Sequence, residues 1–306
     1  MTRISKYIFA IALVAVLAVA VGCGARKVAK TAADKTIIVS IPPYCGLTKA
    51  IVGDDFEVQV LLPEGSSPET FAPTIRQIAA VQNSAMFLSG NLMEFEKVIT
   101  KRLSAHETVR VINISEGCEL VENEHNECEC ECEEEHQHHT YAHSHHHHGG
   151  VDPHVWLSPF ELETIARNIG EAVCAAYPDS VKYEANLQQL IAELRTRQVA
   201  YEGRLKAGGK RHFLIYHPAL SYLARDYGLV QISLENEGKN PTPASLAEVV
   251  SVVDKWQIGQ MMYQSEYPQE IIKPIVDVLG VNMVQINPLS TDILSELDRV
   301  INIISE

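Results

Sequence analysis

Apolar and polar positions follow two alternating rhythms through most of the chain. "TIIVSI" (Thr36 to Ile41) is a short apolar run closed by Pro42 and Pro43, the pattern of a strand buried on both faces. Helical spacing follows to Val52, and "FEVQVLL" (Phe56 to Leu62) returns to strand. After the turn "PEGSSPETFAP", a helix is predicted over Pro73 to Asn83 with Pro73 in its first turn. "SAMFLSG", a helix from Glu94 to Ser104, and the strand "TVRVINI" (Thr108 to Ile114) continue the series. Strands alternating with helices predict a parallel sheet covered on both faces.

From Pro159 to Lys206 the pattern is mostly helical. Asp179 or Ser180 can cap a long helix whose apolar positions include Tyr183, Leu187, Leu190, Ile191 and Leu194, and "GG" at 208–209 closes it. A second series then runs through "HFLIY", a helix over 219–227, "LVQISL", a helix over 243–256, "GQMMY", a helix over 269–279, "VNMVQI" and a last helix from Thr291. The expected fold class is α/β: two βα lobes of Rossmann-like, parallel-sheet type joined by one long rigid helix. The N-terminal lobe is placed at 36–158, the linking helical region at 159–207 and the C-terminal lobe at 208–306. Ligands in such folds bind outside the carboxyl ends of the strands.

One segment fits neither rhythm. "ECECECEEEHQHHTYAHSHHHH" holds Cys128, Cys130 and Cys132, then His136, His138, His139, His143, His145, His146, His147 and His148. It has no apolar face to offset an ordering cost of about 1–2 kcal/mol per residue, so the loop 118–149 is expected to be disordered without metal. It also explains the charge. The chain carries −14, yet nine glutamates and no Lys or Arg lie between Cys118 and His148, and the rest stands at about −5. A chain without a basic face is not expected to bind nucleic acid.

The N-terminus sets the expected compartment. Arg3 and Lys6 precede an apolar run from Tyr7 to Val21, and "AVGC" ends at Cys23. A charged start, an apolar stretch too short to span a bilayer and small residues before a cleavage point describe a signal peptide. The triplet resembles a bacterial lipobox, which makes Cys23 the lipidated first residue of the mature chain and residues 24–35 a polar tether. The rest is expected to be extracytoplasmic. Cys128, Cys130 and Cys132 suit a soft metal better than strained disulfides. Cys45 and Cys174 sit in apolar helical patterns as packed thiols, and Cys118 is open to either role.

Three positions that follow predicted strands or the acidic loop carry chemistry: Glu69 in the turn after "FEVQVLL", His154 in "VDPHVWLSP" and His217 directly after "HFLIY". Two imidazoles and a carboxylate from both lobes suffice for a borderline-soft divalent ion such as zinc, with one position left open. The same set is also a catalytic arrangement for a zinc hydrolase. However, no "HExxH" occurs, and no general base sits at fixed spacing beside these residues.

"LLPEGSSPETFAPT", "DPHVWLSP", "YHPALSYLARDYGL", "ENEGKNPTP" and "YQSEYPQEII" follow in an order that resembles the substrate-binding proteins of zinc and manganese ABC importers, in particular the zinc-uptake (ZnuA-like) branch. The resemblance covers nearly the whole mature chain. It implies two βα lobes bridged by a rigid helix, no enzyme activity, His154 and His217 as metal ligands, and a membrane ABC permease as partner. Where that family usually has a histidine, this chain has Glu69. A carboxylate can ligate zinc, and the change can also retune the site towards manganese or iron. The fourth ligand is left between water, Asn287, Asp292 and Glu266. The acidic loop then becomes a second, weaker sink that captures or senses metal beside the preorganised site. A monomer is expected. A storage protein without a transport partner is the remaining alternative.

Overall fold

The computed structural model describes residues 35–103, 109–122, 150–178, 180–235, 239 and 241–306. Cys23, the tether through residue 34 and the loop ligands Cys128, Cys130, Cys132, His136, His138, His139, His143 and His145 to His148 lie outside the described residues.

Two four-stranded, wholly parallel sheets form the lobes. The first contains β1 (Thr36–Val39), β2 (Glu57–Val60), β3 (Met86–Ser89) and β4 (Arg110–Asn113), in the order β2-β1-β3-β4. The second repeats that order with β5 (His212–Ile215), β6 (Val230–Ser233), β7 (Gln260–Gln264) and β8 (Asn282–Ile286), arranged β6-β5-β7-β8. The inner strands β1, β3, β5 and β7 are the near-continuous apolar runs, because helices cover both of their faces. The outer strands carry the exposed positions.

The helices begin where capping chemistry permits. In α1 (Pro42–Val52) two prolines occupy the first positions, where no backbone N–H is required. In α2 (Ile75–Gln82) Thr74 and Gln77 form a reciprocal capping box, so the helix starts two residues after Pro73 rather than with it. In α3 (Glu94–Leu103) the buried Glu96 accepts from the backbone N–H groups of Gly90, Leu92 and Met93 at 2.9–3.1 Å. A turn of 3-10 helix at Val155–Leu157 leads into α4 (Pro159–Ala176), which Ser158 caps.

The link between the lobes is α5 (Val181–Gly208), 28 residues and about 42 Å long. Ser180 occupies its N-cap position without making a side-chain cap bond, and Gly209 ends it at φ 70°. At one end Tyr183 donates to Asp55 at 2.8 Å and Asn186 to the Ile51 carbonyl at 2.8 Å. Towards the other, Tyr201 donates to Asp298 at 2.7 Å in α9 (Ile293–Ser305). The remaining C-terminal helices are α6 (Ser221–Tyr227), α7 (Pro243–Trp256) and α8 (Gln269–Leu279).

One apolar core runs without a break from β1 and α1 through α4 and α5 to α9, and a smaller cluster fills the other face of the second sheet. The lobes also touch directly. A Cβ on Gly46 of α1 would lie 2.0 Å from the Thr291 carbonyl oxygen, so only glycine allows that approach. A shared core and a backbone contact this close resist large hinge motion. Among the described residues, no helix is long and apolar enough to cross a membrane.

Candidate metal centre

The carboxyl ends of both sheets face one crevice. Strand β5 stops at Ile215, and His217 stands two residues beyond it. Its carbonyl accepts from the Ala219 N–H at 2.8 Å and the Gln264 side chain at 2.7 Å, which fixes the turn. His154 comes from the opposite lobe, at the entry to the 3-10 turn before α4. Glu69 lies in the long turn after β2, where Ser67 Oγ accepts its N–H at 3.3 Å and Phe71 packs edge-on against Phe95 at 5.1 Å. One donor atom each from Glu69, His154 and His217 falls within 4.8 Å of the others. His217 Nε2 is 3.1 Å from Glu69 Oε1 and 3.4 Å from His154 Nε2.

Each imidazole is backed by a carboxylate on its far nitrogen. Asp152 Oδ1 lies 2.7 Å from His154 Nδ1 and also accepts the His154 backbone N–H at 2.9 Å. Glu235 contacts His217 Nδ1, and Tyr267 donates to the same carboxylate at 3.2 Å. With Nδ1–H committed to these partners, both Nε2 lone pairs point at one place, the arrangement that orients histidines towards a metal. The Glu235 contact follows from the sheet. In the parallel β5–β6 register each residue pairs with the one 18 later, from His212↔Val230 to Ile215↔Ser233, and the same offset carries His217 to Glu235.

The electrostatics favour a cation. Burial pulls the His217 imidazole down, but its hydrogen bond to Glu235 and the charges of Glu69, Glu235 and Asp152 outweigh that and hold it above the ordinary histidine value. Burial would push the Asp152 carboxyl up, yet its bonds to His154 and Ser221 bring it below the usual range. Glu266 lines the same pocket, and there burial holds its carboxyl above the usual range. The cavity measures about 30 Å³ and is walled by Glu69, His154, Trp156, His217, Gln264, Glu266 and Tyr267, among others. That is enough to hold at least one water-sized ligand.

The other candidate ligands have different tasks. Asp292 caps α9 by accepting the Ser295 N–H at 3.1 Å. Asn287 Oδ1 holds its own turn, accepting from the Leu289 N–H at 3.2 Å. Cys118, half-buried beside Glu161, has its thiol pushed up to about 12 by burial and by that carboxylate, so it stays protonated and is a poor ligand. Cys45 is buried and Cys174 partly so, both as free thiols in the packed core. Sequence reasoning missed Asp152, Glu235, Gln264 and Tyr267. The same rule that picked out His217 could have found Glu235, which directly follows "LVQISL".

Fold and pocket together define a two-lobed α/β binding protein whose cleft collects nitrogen and oxygen donors suited to a divalent ion. The chain belongs to the ZnuA family, described as zinc-uptake complex component A, periplasmic, whose model matches residues 37–300. It is 28% identical over 298 residues to the high-affinity zinc uptake system protein ZnuA of Bacillus subtilis, covering 95% of this chain and 91% of that one. It is 26% identical over 258 residues to the zinc-binding protein AdcA of Streptococcus pyogenes, covering 83% of this chain; the chain spans about half (50%) of that relative's length. A crystal structure of ZnuA superposes with a TM-score of 0.75 at 27% identity, over 88% of this chain and 97% of the other.

Proposed function

We propose that this protein binds zinc outside the cytoplasm and delivers it to a membrane ABC permease, tethered to the membrane through a lipid on Cys23. One observation carries the reading: donor atoms of Glu69, His154 and His217, drawn from both lobes, lie within 4.8 Å of one another. The carboxylate behind each imidazole and the names of the relatives, zinc-binding and zinc-uptake proteins, support it. The loop ligands between Cys128 and His148 serve as a second, weaker store that raises the local metal concentration.

Metal analysis of a protein lacking residues 123–149, purified without added metal, tests this reading. One tightly held zinc per chain is expected, with extra, looser ions appearing only when the loop is present. Loss of all tight binding would move the site into the loop, while manganese or iron in place of zinc would show that Glu69 has retuned the pocket.

The pH dependence has a defined sign. Protons and zinc compete for Nε2, and the proton on His217 is held more firmly than on an ordinary imidazole. Zinc affinity is therefore expected to fall on acidification, and to begin falling above the ordinary value of about 6.5. Titrations against a chromophoric chelator between pH 5 and 8 measure this; a flat profile would exclude the imidazole pair.

A further inference from the structure

Helix α6 starts four residues after His217, and its second side chain, Tyr222, reaches across to the segment that bears His154. Tyr222, fully buried, donates its hydroxyl to the Asp152 carbonyl at 2.6 Å and accepts the Val121 N–H at 3.2 Å. Burial pushes its phenol up to about 12, so the proton it donates stays in place at neutral pH. Ser221 beside it is occupied locally: its hydroxyl donates to the Pro218 carbonyl at 3.3 Å and accepts from Gln231 Nε2 at 3.0 Å. Asp152 is also joined to Val121 through its own N–H at 2.8 Å, beside an antiparallel bridge between Glu122 and Val151. The backbone before His154 is thus fastened, through the Tyr222 hydroxyl, to the helix that follows His217.

We propose that Tyr222 is a positioning residue for the metal pocket: it fixes the backbone of Asp152, and through Asp152 the distance between the His154 and His217 imidazoles. The proposal rests on the reading that these imidazoles bind zinc. A ligand pair held at a preset spacing binds without first being ordered, and loosening an outer partner of a metal-ligating histidine typically lowers affinity about 10–100-fold. The residue contacts no donor atom, so its effect reaches the ion only through geometry.

The test compares Tyr222→Phe with Tyr201→Phe, a control that removes another buried tyrosine hydroxyl, the one bonded to Asp298 at 2.7 Å, neither residue lining the pocket. Zinc affinity is read by chelator competition, and site geometry by the visible absorption of bound Co2+. Tyr222→Phe is expected to weaken zinc binding about tenfold, speed its release and alter the cobalt spectrum, while Tyr201→Phe lowers thermal stability with both readouts unchanged. Equal zinc affinity and identical cobalt spectra in the two tyrosine variants would overturn the positioning role. A wild-type chain that binds neither ion would instead remove the zinc reading beneath it.

Discussion

Zinc binding by a His217→Ala protein is expected to be weaker by about two orders of magnitude or more, with any loop-bound metal retained. The size follows from ligand number. Four-ligand zinc sites in small peptides bind with about 10–16 kcal/mol, or about 3 kcal/mol for each ligand, and a factor of ten corresponds to about 1.4 kcal/mol. Here His217 is one of three protein donors, so the share lost is at least that large. The substitution also leaves the buried Glu235 carboxylate with Tyr267 but without its imidazole. The metal-free variant should therefore melt lower than wild type, and affinity must be compared at a temperature where both are folded. Isothermal titration against a competing chelator, with the loop deleted, isolates the pocket. Tight binding that survives the change would mean that the ion sits elsewhere.

Much of this site was legible because the physics that places it is local. His217 ends a buried apolar run, and in a parallel sheet the residue after such a run faces the ligand crevice. His154 stands in a compact D-P-H-x-W segment in which Asp152 accepts both the backbone and the ring N–H two residues on. Glu69 was harder, since eight residues separate it from the end of β2. In the fold Phe71 of that loop packs against Phe95, a tertiary contact with no local signature. Glu235 follows a strand-like run just as His217 does, but what brings the two together was not legible. Its contact with His217 depends on β6 pairing beside β5, and strand order in a sheet is a non-local choice. The helix start at Ile75 was, by contrast, written locally. Thr74 and Gln77 spell a capping box, and that signal outranked the proline before it.

The repeated strand order also bears on how the ion is released. Family resemblance alone leaves the motion of the lobes open. In this chain α5 spans both lobes, their apolar cores merge, and Gly46 lies against the Thr291 carbonyl. Release by wide separation of the lobes would expose that shared core. Movement of the Glu69 turn, the most exposed of the three donors, disturbs far less buried surface.

A Trp156→Ala protein is expected to lose about 3–5 kcal/mol of stability, the range for removing a fully buried large aromatic side chain. Trp156 is 1% exposed and touches both lobes. Its indole N–H donates to the Pro288 carbonyl at 2.9 Å in the turn after β8, and its ring meets Tyr44 of α1 edge-on at 6.3 Å. The same ring lies 5.3 Å from His154 and forms part of the pocket wall. Truncation would leave a cavity at the junction and an orphaned carbonyl, and the surrounding helices are too firmly tied to collapse into it. Urea unfolding followed by circular dichroism, in the presence of a chelator, should show a lower midpoint with an unchanged slope, which marks lost stability rather than a changed denatured state. Zinc should then restore part of the loss by binding only the folded form. A variant as stable as wild type would show that the junction relaxes freely, and the lobes would have to be regarded as loosely joined after all.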